Sequence, residues 1–187
     1  MGFAINANTM YVVYDTTENL ERLHNVVKNN KDMESIISEL GGNTKDVDMD
    51  GTILYFGINY DSNHVYMEFE TWKHHQPQFK KALEQIFPNM KVFWKMENDY
   101  DCETNSFKEF GIKYAIESED IYETFDCIED VREFILTKDT LTEFCDRYAE
   151  KYDIQTATPE FIQTLFINWN HRNDYHIYFR IFKEVAD

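Results

Sequence analysis

The amino-acid sequence predicts an α+β fold, with an antiparallel sheet, helices packed on one face and a mostly helical C-terminal portion. Three observations carry the expectation. Strand-forming runs alternate with segments of helical spacing from Thr9 to about Phe125. Within Val65–Trp72, apolar Val65, Met67, Phe69 and Thr71 alternate with Tyr66, Glu68, Glu70 and Trp72, the pattern of a strand with one face in a core and the other wet or partnered. Beyond about Val131 the apolar period shifts to that of helices.

Taken in order, Thr9–Tyr14 is β-branched and aromatic and reads as a strand. Asp15-Thr-Thr-Glu18 then supplies capping residues for a helix through Leu20, Leu23, Val26 and Val27. A second helix is predicted over Asp32–Leu40, stopped by Gly41-Gly42, and the acidic stretch Gly42–Gly51 reads as a loop. Ile53–Tyr60 and Val65–Trp72 form a hairpin around Asp61-Ser-Asn-His64. Pro77 opens a helix with Phe79, Leu83, Ile86 and Phe87 on one side, and Pro88 ends it. Met90–Met96 follows as a strand whose core face is Met90, Val92, Trp94 and Met96. Asn98–Ser106 reads as a turn, and Phe107–Glu117 and Ile121–Phe125 as further strands. Val131, Phe134, Ile135, Leu141, Phe144, Cys145, Tyr148 and Tyr152 are spaced as on helices, Thr158-Pro-Glu160 starts another, and Tyr175–Phe182 returns as a strand. One domain over residues 1–187 is expected, sheet-rich over 1–125 and mostly helical over 126–187.

The order strand, helix, hairpin, helix, strand suggests a ferredoxin-like layer arrangement. Phe69-Glu-Thr-Trp72, Pro77, Phe79, Leu83, Phe87-Pro-Asn-Met90 and the aromatic strand after them resemble the central motif of the YubB/Api92-like ferredoxin-fold proteins carried by phages and plasmids. Where that family has adjacent prolines after the Trp, this chain has Lys73-His-His-Gln-Pro77. The resemblance implies an origin in mobile genetic elements, where very acidic small proteins resemble anti-CRISPR and other anti-defence inhibitors. It carries no catalytic residue set.

Composition bounds the function. Eighteen Lys and Arg stand against 35 Asp and Glu in 187 residues, a formal net charge of −17. Direct binding of DNA through its backbone requires a basic face, so the balance argues against it. Aromatics make up 16% of the chain, too many for an acidic disordered tail. No apolar run approaches the roughly 18 residues of a membrane span, and the N-terminus lacks a secretory pattern. Cys102, Cys127 and Cys145 have no CxxC spacing, which fits a reducing cytoplasm.

The charge is concentrated. Residues 97–153 hold 18 acidic and 6 basic side chains. Asp99, Asp101 and Glu103 precede the densest run, Glu117, Glu119, Asp120, Glu123, Asp126, Glu129, Asp130 and Glu133. These are the predicted partner-binding residues: such a density on a rigid frame creates a field of several kT that attracts a basic groove. The leading expectation is therefore an inhibitor that imitates nucleic-acid charge and blocks a basic nucleic-acid-handling protein, a Cas9-type effector being the specific choice. The alternatives are a nuclease acting on guide RNA through His74, His75 or His171, and a phage or plasmid accessory protein without a defence role.

The remaining signals are weaker. Asp46-Val-Asp-Met-Asp-Gly51 alternates carboxylates like a calcium loop but lacks the distal Glu of an EF-hand, and reads as a solvated loop. No metal or cofactor set is called for by the histidine spacing. Cys145 reads as core, and the acidic surroundings of Cys102 and Cys127 oppose thiolate formation. Tyr55, Tyr60, Tyr66, Trp72, Phe93, Trp94, Tyr100 and Phe110 read either as an aromatic core beneath two helices or as an exposed sheet face that anchors a protein partner.

Overall fold

The computed structural model describes residues 6–45, 49–72, 75–98, 101–111, 113–118, 133–136, 138–173 and 177–186. The fold is α+β with a mostly antiparallel sheet. The chain divides into two compact units, Met1–Glu109 with Glu184–Asp187, and Phe110–Lys183. The anticipated change of character at residue 125 falls outside the described residues.

The first unit begins with β1 (Asn6–Tyr14), α1 (Thr17–Asn29) and α2 (Met33–Glu39). The hairpin β2 (Gly51–Asn59) and β3 (His64–Trp72) follows, then α3 (Pro77–Ile86), β4 (Lys91–Glu97), β5 (Cys102–Thr104) and the short α4 (Phe107–Phe110). Its strands lie in the order β2-β3-β1-β4-β5. Helix starts are set by local chemistry. The Thr16 hydroxyl accepts from the Asn19 N–H at 3.4 Å, and the Asp32 carboxylate accepts from the Ser35 N–H at 2.8 Å. Gly41, at φ +86°, takes the left-handed conformation that ends α2 at low cost.

Alternation along the strands builds the core. Tyr11, Val13, Val65, Met67, Phe69, Val92, Trp94 and Met96 point inward and join Leu20, Leu23, Val27, Met33, Ile36, Ile37, Phe79 and Leu83 of the three longer helices in one buried cluster. Each such side chain removed from water contributes roughly 1.5–3 kcal/mol, offset by chain entropy. Tyr11, Phe69 and Phe79 meet edge to face, with ring centroids 5.2–6.0 Å apart. Thr9 and Thr71, the polar members of the inward rows, bond hydroxyl to hydroxyl at 2.9 Å, so neither is buried unpaired.

The second unit contains β6 (Tyr114–Ser118), β7 (Glu133–Leu136), α5 (Lys138–Lys151), α6 (Pro159–Asn173) and β8 (Ile177–Glu184), with β6 central between β8 and β7. Phe144, Tyr148, Ala157, Ile162, Phe166 and Phe179 form its core.

Three elements differ from the sequence expectation. The Asn98–Ser106 turn contains β5, because the Asn98 side chain and backbone close a tight reversal onto Asp101 and the Thr104 hydroxyl then donates to the Trp94 carbonyl at 2.8 Å. The anticipated strand Phe107–Glu117 opens with α4: the Ser106 hydroxyl accepts from the Glu109 N–H at 3.1 Å, a helix start followed three residues on by Glu. Phe134 and Ile135, spaced as on a helix with Val131, lie in β7, where pairing with Ile116 and Ala115 overrides the local period. Among the described residues no helix is long and apolar enough to cross a membrane.

Candidate interaction surface

The outward row of the first unit differs from its core row in chemistry as well as exposure. On β3 it carries Tyr66, Glu68, Glu70 and Trp72. In register beside them lie Gly57, Tyr55 and Thr52 of β2, and Val12, Met10, Asn8 and Asn6 of β1. Tyr55 is 68% exposed, Trp72 46% and Tyr66 36%. Leu54, opposite no β3 residue where the register shifts between Ile53 and Tyr55, adds 44% exposure at the edge.

Backbone details hold this surface in place. A Cβ at Gly57 would come within 2.5 Å of the Tyr66 hydroxyl oxygen, so the absence of a side chain there lets the Tyr66 ring lie flat across β2. Asn6 donates from Nδ2 to the Glu70 carboxylate at 2.7 Å. At the Trp72 end a cleft of about 490 Å³ is lined by Asp32, Glu34, Met49, Asp50, Gly51, Thr52, Trp72 and Gln76. Among the described residues, three carboxylates and an indole thus share one concavity with no Lys or Arg in its wall. Asp32 also holds the Ser35 hydroxyl at 2.9 Å, which orients it.

Opposite charges appear toward β4. Lys95 pairs with Glu97 at 3.3 Å, and α4 supplies Glu109, whose carboxylate accepts from the Tyr14 phenol. Burial, then the hydrogen bond to and charge of Glu109, pushes the Tyr14 hydroxyl up to about 12 from 10.0.

Few of the predicted partner-binding carboxylates fall on described side chains. Asp101, just before β5, and Glu103, at its centre, are half-buried. Glu117 and Glu133 occupy directly opposite positions of the β6–β7 ladder. Asp99, Glu119, Asp120, Glu123, Asp126, Glu129 and Asp130 lie outside the described residues. In the second unit the exposed Glu143, Asp146 and Glu150 recur along α5 at spacings that share one helix face. Outside β6, β7 and the first turn of α5, every described Asp and Glu reaches solvent, and the buried polar side chains there are Thr9, Thr71, Asn98 and Thr104.

The histidines and thiols considered from the sequence take packing positions where they are described. His75 stacks on Trp94 with ring centroids 3.6 Å apart and planes 9° apart. His171 is exposed near the end of α6, and His74 lies outside the described residues. Cys102 is buried; Cys145 is half-buried, its thiol pushed up by burial and by Asp146 and Glu160, and Cys127 lies outside the described residues. Asp46 and Asp48 of the calcium-like stretch also lie outside them, and among the described residues no three His, Cys, Asp or Glu side chains group as metal ligands.

The aromatic group named from the sequence is split by the structure. Trp94 is core, Phe93 and Phe110 are half-buried, Tyr100 lies outside the described residues, and Tyr55, Tyr60, Tyr66 and Trp72 are exposed. The strand alternation around Glu68 and Glu70 held that signal. The acidic cleft had none, because Asp32, Asp50 and Trp72 are far apart in the chain. Comparison with protein families, characterised proteins and solved structures finds no match to this chain.

Proposed function

We propose that this protein is a binding inhibitor that presents an acidic surface to a basic nucleic-acid-handling protein and keeps that protein from its nucleic acid. The observation that carries the reading is the charge of −17 together with its placement: outside β6, β7 and the first turn of α5, every described carboxylate reaches solvent, so their field projects outward. A partner whose groove is built for phosphates meets complementary charge, which raises association rates by about 10–10³-fold at low salt.

The first unit supports the finer reading of a ferredoxin-like fold. Its connection β1-helix-β2-β3-helix-β4, with the order β2-β3-β1-β4, is that of a split βαβ arrangement, with α2 inserted before β2. Together with the resemblance of Phe69–Met90 to proteins of phages and plasmids, this favours an anti-defence role with a Cas9-type effector as the target. The arginines that read the effector's recognition sequence, and its heteroduplex channel, offer the required basic surface.

The test incubates the purified chain with a Cas9–guide complex and target DNA, following DNA cleavage and guide integrity at low and high ionic strength. Loss of cleavage with intact guide, relieved by salt, is expected. Inhibition indifferent to salt refutes charge imitation, shortened guide in excess of the added protein refutes a binding inhibitor in favour of a nuclease, and unchanged cleavage removes this effector as the target.

A further inference from the structure

The open face of β3 and its neighbours is chemically one-sided. Strands β1, β2 and β3 hold Glu68 and Glu70 but not a single Lys or Arg among their 9, 9 and 9 residues. Those carboxylates alternate with the exposed rings of Tyr66 and Trp72 and lie beside Tyr55, which is opposite Glu68 in the β2–β3 register. The row runs out at Trp72 into the cleft whose wall includes Asp50. Aromatic faces and carboxylates in alternation are the two groups that bind a guanidinium or ammonium together, the ring through its quadrupole and the carboxylate through charge-assisted hydrogen bonds. Elsewhere in the same unit the chain supplies its own example, the Arg22 guanidinium standing 5.3 Å from the Phe87 ring centroid while donating to the Leu40 carbonyl at 2.9 Å.

We propose that the Tyr55–Tyr66–Glu68–Glu70–Trp72 face is a docking surface for an arginine-bearing segment of a protein partner, with Trp72 and the acidic cleft receiving one cationic side chain. This deepens the binding reading above and rests on it, but assigns the contact to the first unit's sheet face in place of the acidic run at 117–133. Charge complementarity selects the occupant. A second copy would bring the same carboxylates against themselves in a chain of charge −17, and a nucleic acid would be repelled. The basic segment supplies the cation that the three strands lack, and the exposed rings supply anchor area of the kind that dominates interface energetics.

The experiment titrates the ¹⁵N-labelled full chain with a short unstructured peptide of Arg, Gly and Ser at about 0.15 M salt, where long-range attraction is screened beyond roughly 8 Å. A matched peptide with citrulline for Arg serves as control. Shifts at the Trp72 indole and at the Tyr55 and Tyr66–Trp72 amides are expected, with citrulline abolishing them. Tyr55→Ser, at a position too exposed to support the core, should weaken binding about threefold, and Glu68→Gln with Glu70→Gln about tenfold. Shifts confined to residues 97–153 would overturn this inference and leave the binding reading standing. No binding of the Arg peptide anywhere would overturn both. Equal binding of the citrulline peptide, or self-association that broadens the same resonances, would overturn the cationic occupant.

Discussion

Tyr11→Phe isolates a single oxygen that joins β1 to the start of α3. That helix has Pro77 at its first turn and Gln76 as N-cap, with no side-chain cap of its own. In its place the Tyr11 phenol accepts from the Gln76 N–H at 3.1 Å and donates to the Gln76 carbonyl at 3.2 Å. The carbonyl keeps a second donor, the Phe79 N–H at 3.0 Å, so the substitution chiefly deprives the Gln76 N–H of its acceptor. The ring stays, and with it the edge-to-face contacts to Phe69 and Phe79. The cost is then one hydrogen bond, about 0.5–1.5 kcal/mol, raised by the desolvation of a part-buried donor to about 1–2 kcal/mol in all. With a urea m-value of about 2 kcal/mol/M, the midpoint should fall by about 0.5–1 M with m unchanged. Urea titration followed by tryptophan emission measures it. A midpoint within about 0.2 M of wild type would show that water replaces the phenol at no cost and would refute this account of how α3 starts. Tyr11→Leu, which also removes the ring pair, should cost clearly more.

Two further outcomes follow from the first unit. Because the Tyr14 hydroxyl is pushed up to about 12, the folded state holds its proton longer than the unfolded chain; stability should be unaffected by this group below about pH 10 and lost as pH rises toward 12. Tyr14→Phe should flatten that alkaline limb in denaturation midpoints measured across pH, and an unchanged limb would refute the upward push on the Tyr14 hydroxyl by burial and Glu109. Asp32→Ala removes the acceptor for the Ser35 N–H and hydroxyl, so α2 should lose about 1 kcal/mol of stability, read as earlier exchange of the α2 amides.

Much of the first unit was legible because its signals are local. The alternation in Val65–Trp72 needs only the two-residue period of a strand, and the structure buries Val65, Met67, Phe69 and Thr71 as that period requires. Pro77 and Asp32 mark helix starts by their own backbone and side-chain chemistry. β5, α4 and β7 were misread for a common reason. Each is short, and each is decided by a partner distant in sequence or by one hydroxyl, as Thr104 on Trp94, Ser106 on Glu109 and Phe134 opposite Ile116 show.

The sequence by itself determined the acidic character, the α+β class and which face of β3 is apolar, since composition and period are properties of the chain alone. Only the tertiary structure decided that Tyr55 is exposed while Trp94 is buried, that Tyr66 crosses Gly57, and that Asp32, Asp50 and Trp72 wall one cleft. Those relations depend on strand register and on which elements become neighbours, and a register is chosen by the summed burial of all the rows it aligns, which no local window of sequence contains.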